Sequence, residues 1–182
     1  KMKNLLKIGV VAIGMFLAVG TANAQQKFGH INSADLLQAM PEMKTADATF
    51  QTFAKAKQTS LELMDAERQK LVTSYEEKYK TLSEANRATL EKELTTLVAS
   101  IQDLEKRITD AQAKAQEELT TKRTEIYQPV FKKAEDAVKA VAKEKGFAYV
   151  FDVSQPGVVY FDGGTDLIND VKTKLGITTA AK

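Results

Sequence analysis

The chain has 182 residues, with 26 basic and 24 acidic side chains, one histidine and no cysteine. That composition excludes disulfide staples and leaves acid-base catalysis a single imidazole to work with. A formal charge of +2 gives none of the strongly basic field on which nucleic-acid and anionic-membrane binders rely.

Lys1, Lys3 and Lys7 precede an apolar run from Ile8 to Gly20, and Ala22-Asn23-Ala24 stands before Gln25. These are the three parts of a secretory signal peptide, so residues 1–24 are expected to be cleaved after Ala24. A membrane anchor is the alternative, but the run falls short of the roughly 20 residues a spanning helix needs. Losing those three lysines takes 26 basic residues to 23 against 24 acidic ones, a net charge of about −1. The basic character of the whole chain therefore belongs largely to the leader.

Residues 25–48 read as the start of a small body. Phe28 to Ile31 is a short strand candidate, and Asn32 or Ser33 can cap a short helix through Met40. Pro41 and Glu42 then suit the first turn of a longer helix.

Residues 49–126 form the dominant pattern. Phe50, Ala54, Leu61, Met64, Leu71, Tyr75 and Leu82 sit on a ladder of alternating four- and three-residue steps, with Lys57, Arg68 and Lys78 on its remaining rungs. Leu90, Leu94, Leu97, Ile101, Leu104, Ile108, Ala111 and Ala115 continue the same alternation after a polar break at residues 83–86. Such ladders put one narrow apolar stripe on each helix, as in coiled coils. The short break makes the two helices antiparallel, giving a projecting hairpin roughly 60 Å long at 1.5 Å per residue. Two registers keep apolar against apolar: Leu82 with Leu90 and Leu71 with Ile101, or Tyr75 with Leu90 and Leu61 with Leu104. Ser83 as N-cap of the returning helix favours the second.

Residues 127–176 return to the body. Pro129 is expected to break or kink the returning helix. Val130, Ala134 and Val141 carry a helical face on to Lys145, and Gly146 ends it. Phe147 to Val153 and Val158 to Phe161 read as a hairpin of strands around the turn at Gln155-Pro156-Gly157. Leu167, Ile168, Val171 and Leu175 stripe a last helix that ends at Gly176, and residues 177–182 read as a loose tail. The expected fold class is α+β: a small body of strands and short helices carrying a long antiparallel coiled-coil hairpin.

No chemistry stands out. His30 lies alone in a strand, where a structural role is the ordinary one. Asp152, Asp162 and Asp166 lack the ligand count and spacing of a calcium loop and suit turns and caps instead. Asp162-Gly163-Gly164 lacks the lysine and glycine spacing of a phosphate loop. The expectation is a protein that is no enzyme, with no cofactor and no metal. What remains is surface: Phe53, Leu63, Val72, Tyr79, Val98 and Leu119 lie off the stripe. They either widen the hairpin seam or offer scattered apolar contacts to a flexible partner.

Lys27-Phe28-Gly29-His30-Ile31-Asn32-Ser33 with Met40-Pro41-Glu42 at the front, and residues 138–153 with Asp166-Leu167-Ile168-Asn169-Asp170-Val171 at the back, bracket this hairpin. In that order the chain resembles the Skp/OmpH family of periplasmic chaperones, most of all its Bacteroidetes-type members. The resemblance implies a homotrimer whose strands form a shared barrel and whose three hairpins enclose a cavity. It further implies that unfolded outer-membrane proteins are held there without ATP. Phe28, Ile31, Val150, Phe151, Val159 and Phe161 match the strand positions of that shared body, and the six off-stripe residues become candidates for client contact. Well-studied relatives are strongly basic and this mature chain is near neutral, so lipopolysaccharide binding is not carried over. A structural or adaptor coiled coil of the envelope is the rival reading.

Overall fold

The computed structural model describes residues 26–177. The predicted signal peptide and nearly all of the predicted tail lie outside them. The elements run β1 (Phe28–Ile31), α1 (Ser33–Ala39), α2 (Pro41–Lys80), α3 (Arg87–Lys145), β2 (Tyr149–Asp152), β3 (Thr165–Asp166) and α4 (Ile168–Lys174). The fold class is α+β, with long helices and a small sheet. The chain divides into two units, residues 35–135 and, among the described residues, 26–34 with 136–177.

In the first unit α2 and α3 form the hairpin. Burial follows the two ladders: no rung from Phe50 to Leu82 is exposed, and Leu90, Leu94, Leu104 and Ala115 are buried on the returning helix. The polar rungs are matched by charge. Lys57 pairs with Glu118, and the Lys78 ammonium lies 2.6 Å from the Glu93 carboxylate. Arg68 turns to Asp65 on its own helix at 2.8 Å.

These pairs correct the register favoured from the sequence. They place Leu82 near Leu90 and Leu71 near Ile101, whereas the other register would set Lys78 opposite Arg87 and Lys57 opposite Ile108. Like charges and a desolvated ammonium disfavour that alternative. The turn agrees, because Asn86 and not Ser83 closes it. Its side-chain amide donates to the Thr81 carbonyl at 2.8 Å, its carbonyl accepts from the Ser83 amide at 2.7 Å, and its backbone carbonyl accepts from Leu90.

Of the break or kink expected at Pro129, the break is absent: α3 runs through it. Proline removes the amide that would serve the Glu125 carbonyl and costs a helix interior about 3 kcal/mol. Val130 and Ala134, buried immediately after it, offset that cost by roughly 1 to 3 kcal/mol for the valine alone. Tyr127 adds to it: its hydroxyl donates to Asp47 at 2.7 Å and its ring packs edge-on against Phe50, with centroids 5.9 Å apart.

In the second unit the sheet order is β2-β1-β3, and both pairings are parallel. The strand hairpin expected after Gly146 is therefore corrected: residues 158–161 form no strand, and the third strand is Thr165–Asp166. The reason lies just beyond. Gly163 and Gly164 take φ of 85° and 80°, a conformation only glycine adopts freely, and fold the chain back towards β1. The Leu167 amide then donates to the His30 carbonyl at 3.0 Å, and its side chain is fully buried. Burying Leu167 beside β1 fixes which segment becomes the neighbour strand. Gly29 is required in β1 because a Cβ there would meet Phe147 and Leu167 at 3.1 and 3.2 Å.

Candidate functional site

On the hairpin, the six off-stripe residues separate into two groups. Leu63, Tyr79 and Val98 are exposed, at 67%, 58% and 38%. Phe53, Val72 and Leu119 are half-buried. Phe53 is held from both helices, with the Lys57 and Lys122 ammonium groups 5.1 and 6.0 Å from its ring centroid. Leu63 and Tyr79 are more than four helical turns apart, about 24 Å along α2 at 1.5 Å per residue, so they make separate contact points and no single patch. Tyr79 stacks on Tyr75 at 6.0 Å, which fixes its ring against the seam while one side stays in water. Phe131, 47% exposed and stacked on Tyr127 at 6.1 Å, is a further exposed ring that the stripe argument missed. It lies past the heptad run, just behind Pro129, where a break or kink was expected.

The sheet sorts its residues by strand alternation. Gly29 and Ile31 are buried, and Val150 is half-buried beside them. Phe28 and His30 point to the opposite face, and the register sets Tyr149 beside Phe28 and Phe151 beside His30. Three rings lie together there: Phe28 on Tyr149 at 5.6 Å, Phe28 on Phe151 at 6.2 Å, and Tyr149 on Phe151 at 6.4 Å. The His30 ring meets Phe161 at 5.0 Å. An open groove of about 900 Å³ runs along this face, lined by Phe28, His30, Phe151, Val153, Val159 and Phe161 among others.

Of the six strand residues singled out in the sequence, Phe28, Phe151, Val159 and Phe161 thus line one groove, Val159 almost wholly in solvent. Ile31 is 3% exposed within its own chain and Val150 shares its side of the sheet. Tyr149 and Tyr160 belong with the exposed group and were not singled out. The i, i+2 spacing of Tyr149 and Phe151 was the signal for the first.

The loop that carries Val159 to Phe161 is tied down at its start by Asp152. One carboxylate oxygen accepts the Ser33 amide at 3.1 Å and the Ser154 amide at 3.0 Å, while the other accepts the Ser33 hydroxyl at 2.5 Å. Partial burial raises the carboxyl's pKa, but the hydrogen bonds from Ser33 and Ser154 outweigh it and hold the group below its ordinary value. No buried side-chain polar atom lacks a partner among the described residues. Nor do those residues contain a group of three or more acidic or histidine side chains able to hold a metal, or a helix long and apolar enough to cross a membrane.

Residues 27–175 match the family described as outer membrane protein (OmpH-like). The chain is also similar to proteins named chaperone protein Skp. The one from Vibrio cholerae is 29% identical over 84% of this chain and 88% of its own length. That from Yersinia enterocolitica is 25% identical over 88% and 92% respectively, and that from Pectobacterium atrosepticum 24% over 87% and 92%.

Proposed function

The chain belongs to the OmpH-like family, and on that premise we propose that it is an exported periplasmic chaperone that keeps unfolded outer-membrane proteins from aggregating. It does so as an ATP-independent holdase, in a cavity between the hairpins of a homotrimer. The observation that carries this reading is the family match along residues 27–175, which takes in both units and so excludes a likeness confined to the coiled coil. Curated relatives of nearly the same length bear a chaperone's name.

The physics of the hairpin suits the task. A holdase must bind many sequences weakly and release them, which favours dispersed contacts over one organised pocket. Leu63, Tyr79 and Val98 are such contacts, exposed singly among charged neighbours. The seam beneath them keeps each hairpin soluble without competing for client.

The test is dilution of an outer-membrane barrel protein from urea into buffer with the mature chain, followed by light scattering. Suppression of scattering at one trimer per client, without nucleotide, is the expected result. Unchanged aggregation would overturn the reading and favour the envelope adaptor. Replacing Leu63, Tyr79 and Val98 together by serine should raise scattering while leaving helix content intact.

A further inference from the structure

We propose that one flank of the hairpin holds the client, the side carrying Val72, Tyr79, Val98 and Leu119, and that it selects apolar segments bearing lysine or arginine. The inference deepens the holdase reading above and rests on it.

A coiled-coil stripe has two flanks, because the residues beside it turn to one side or the other. Two open grooves mark them here. One, of about 510 Å³, brings Gln58 and Asp65 of α2 together with Gln112 of α3. The other, of about 450 Å³, brings Phe53 of α2 together with Lys114 and Thr121 of α3. Residues seven apart stay on one flank, with a drift of only about 20° per step. Steps of seven from Gln58 and Asp65 reach Val72 and Tyr79, and steps from Gln112 reach Glu105 and Val98 one way and Leu119 the other. Four of the six off-stripe residues therefore share the first flank. The same steps on the second flank meet only polar residues, Ser60, Glu67, Ser74 and Thr81 on α2 and Arg107, Ser100 and Glu93 on α3. Phe53 is the one apolar side chain of that row, and the Lys57 and Lys122 ammonium groups stand over its ring. Leu63 belongs to neither row.

Charge divides the flanks in the same way. The seam lysines turn to the second: Lys57 and its partner Glu118 line the second groove, and Lys78 reaches Glu93 of that row at 2.6 Å. The arginines beside the first flank are neutralised close by, Arg68 by Asp65 and Arg87 by Glu84 and Glu91. Glu105 in the first row, and Glu76 one helical turn from Val72 and Tyr79, are exposed and have no ion-pair partner among the described residues. Glu62 beside them is held only by the uncharged Gln58 amide, at 2.9 Å.

The first flank thus offers dispersed apolar contacts with carboxylates between them. Tyr79 shows the pattern locally: its ring is stacked on Tyr75, it stays 58% exposed, and Glu76 lies one turn before it. A client lysine or arginine can sit over that ring and beside that carboxylate while its apolar neighbours cover Val72 or Val98. A segment rich in aspartate or glutamate is repelled at the same place. Each contact is exposed and therefore weak, so the client can be released.

Fluorescence anisotropy of a labelled outer-membrane barrel protein, diluted from urea into the mature chain, tests the proposal with two forms of that client. One keeps its lysines and the other has them acetylated, which removes their charge. Glu76→Gln with Glu105→Gln should weaken binding of the intact client roughly 2- to 30-fold, the effect of two exposed ion contacts, and that of the acetylated client by less. Glu77→Gln with Asp110→Asn takes the same charge from positions one turn away from the second row and should leave both clients bound as before. Helix content should be unchanged by circular dichroism, since glutamine has nearly the helix propensity of glutamate. Tyr79→Gln with Val98→Gln should weaken binding of both clients. Equal effects of the two charge variants, or a loss of the same size for both clients, overturn the selection. No loss from Tyr79→Gln with Val98→Gln overturns the flank. A wild type that binds neither client overturns the holdase reading itself and the inference with it.

Discussion

The hairpin and the sheet unit solve the same problem to different degrees. Along the hairpin no apolar rung is exposed, Lys57 and Lys78 find carboxylates on the facing helix, and Arg68 finds one on its own. What stays exposed there is scattered. The sheet unit buries Ile31, Leu167 and Val171 on one side but leaves Phe28, Tyr149, Phe151 and Phe161 together in solvent on the other. A region whose leftover apolar groups are dispersed can stand alone, whereas one whose leftovers are contiguous is built to be covered. On this account the hairpin is complete within one chain and the sheet is complete only among several.

The largest expected effect would break the hairpin side of that contrast. Leu104, 2% exposed, is the most deeply buried rung, and Leu104→Ala should cost about 2 to 5 kcal/mol. Urea unfolding followed by helical circular dichroism would register it as a lower midpoint, with the oligomeric mass before unfolding unchanged. Gly29→Ala acts on the other unit. The added Cβ would press on Phe147 and Leu167, costing about 1 to 3 kcal/mol, and should lower the oligomeric mass while helix content stays near wild type.

Asp152 sharpens the contrast through pH. Its folded pKa is depressed, so its stabilisation is present above the ordinary carboxylate value of about 4 and is lost as pH falls below it. The sheet unit should therefore loosen in acid. Asp152→Asn should lose about 1 to 2 kcal/mol at neutral pH and show less of that acid sensitivity in a urea titration. The smallest effect belongs to the hairpin surface. Lys78→Glu would face Glu93, and since both positions are about two-fifths exposed the cost should stay under about 1 kcal/mol in the same unfolding assay.

How much of this was legible in the sequence depends on how local the deciding interaction is. The ladders from Phe50 to Leu82 and from Leu90 to Ala115 were readable because helical periodicity is a property of neighbours in the chain. The register between them was not fixed by apolar matching, which two alignments satisfy equally. It is chosen by which charge faces Lys57 and Lys78, and by the two hydrogen bonds that the Asn86 side chain makes across the turn. Val158 to Phe161 has every mark of a strand, yet Leu167 and the two glycines before it bring Thr165–Asp166 to β1 instead. That outcome depends on a contact between residues far apart in the chain, which strand propensity does not encode. Pro129 left a break or a kink open for a related reason: its local cost is real, and tertiary burial of Val130 and Ala134 keeps the helix unbroken. For the candidate contacts, the sequence reading put Phe28, Ile31, Val150 and Phe151 in one set, although alternation along β1 and β2 already carries the signal that separates Phe28 and Phe151 from Ile31 and Val150. The neighbours that half-bury Phe53 could not be read without the facing helix.

The claim on which the rest depends is that the ring-bearing sheet face is covered by other copies of the chain. Sedimentation equilibrium of the mature protein near pH 8, over a wide range of loading concentrations, tests it most directly. The account predicts three times the mass of one mature chain. A mass of one chain, unchanged with concentration, would contradict it.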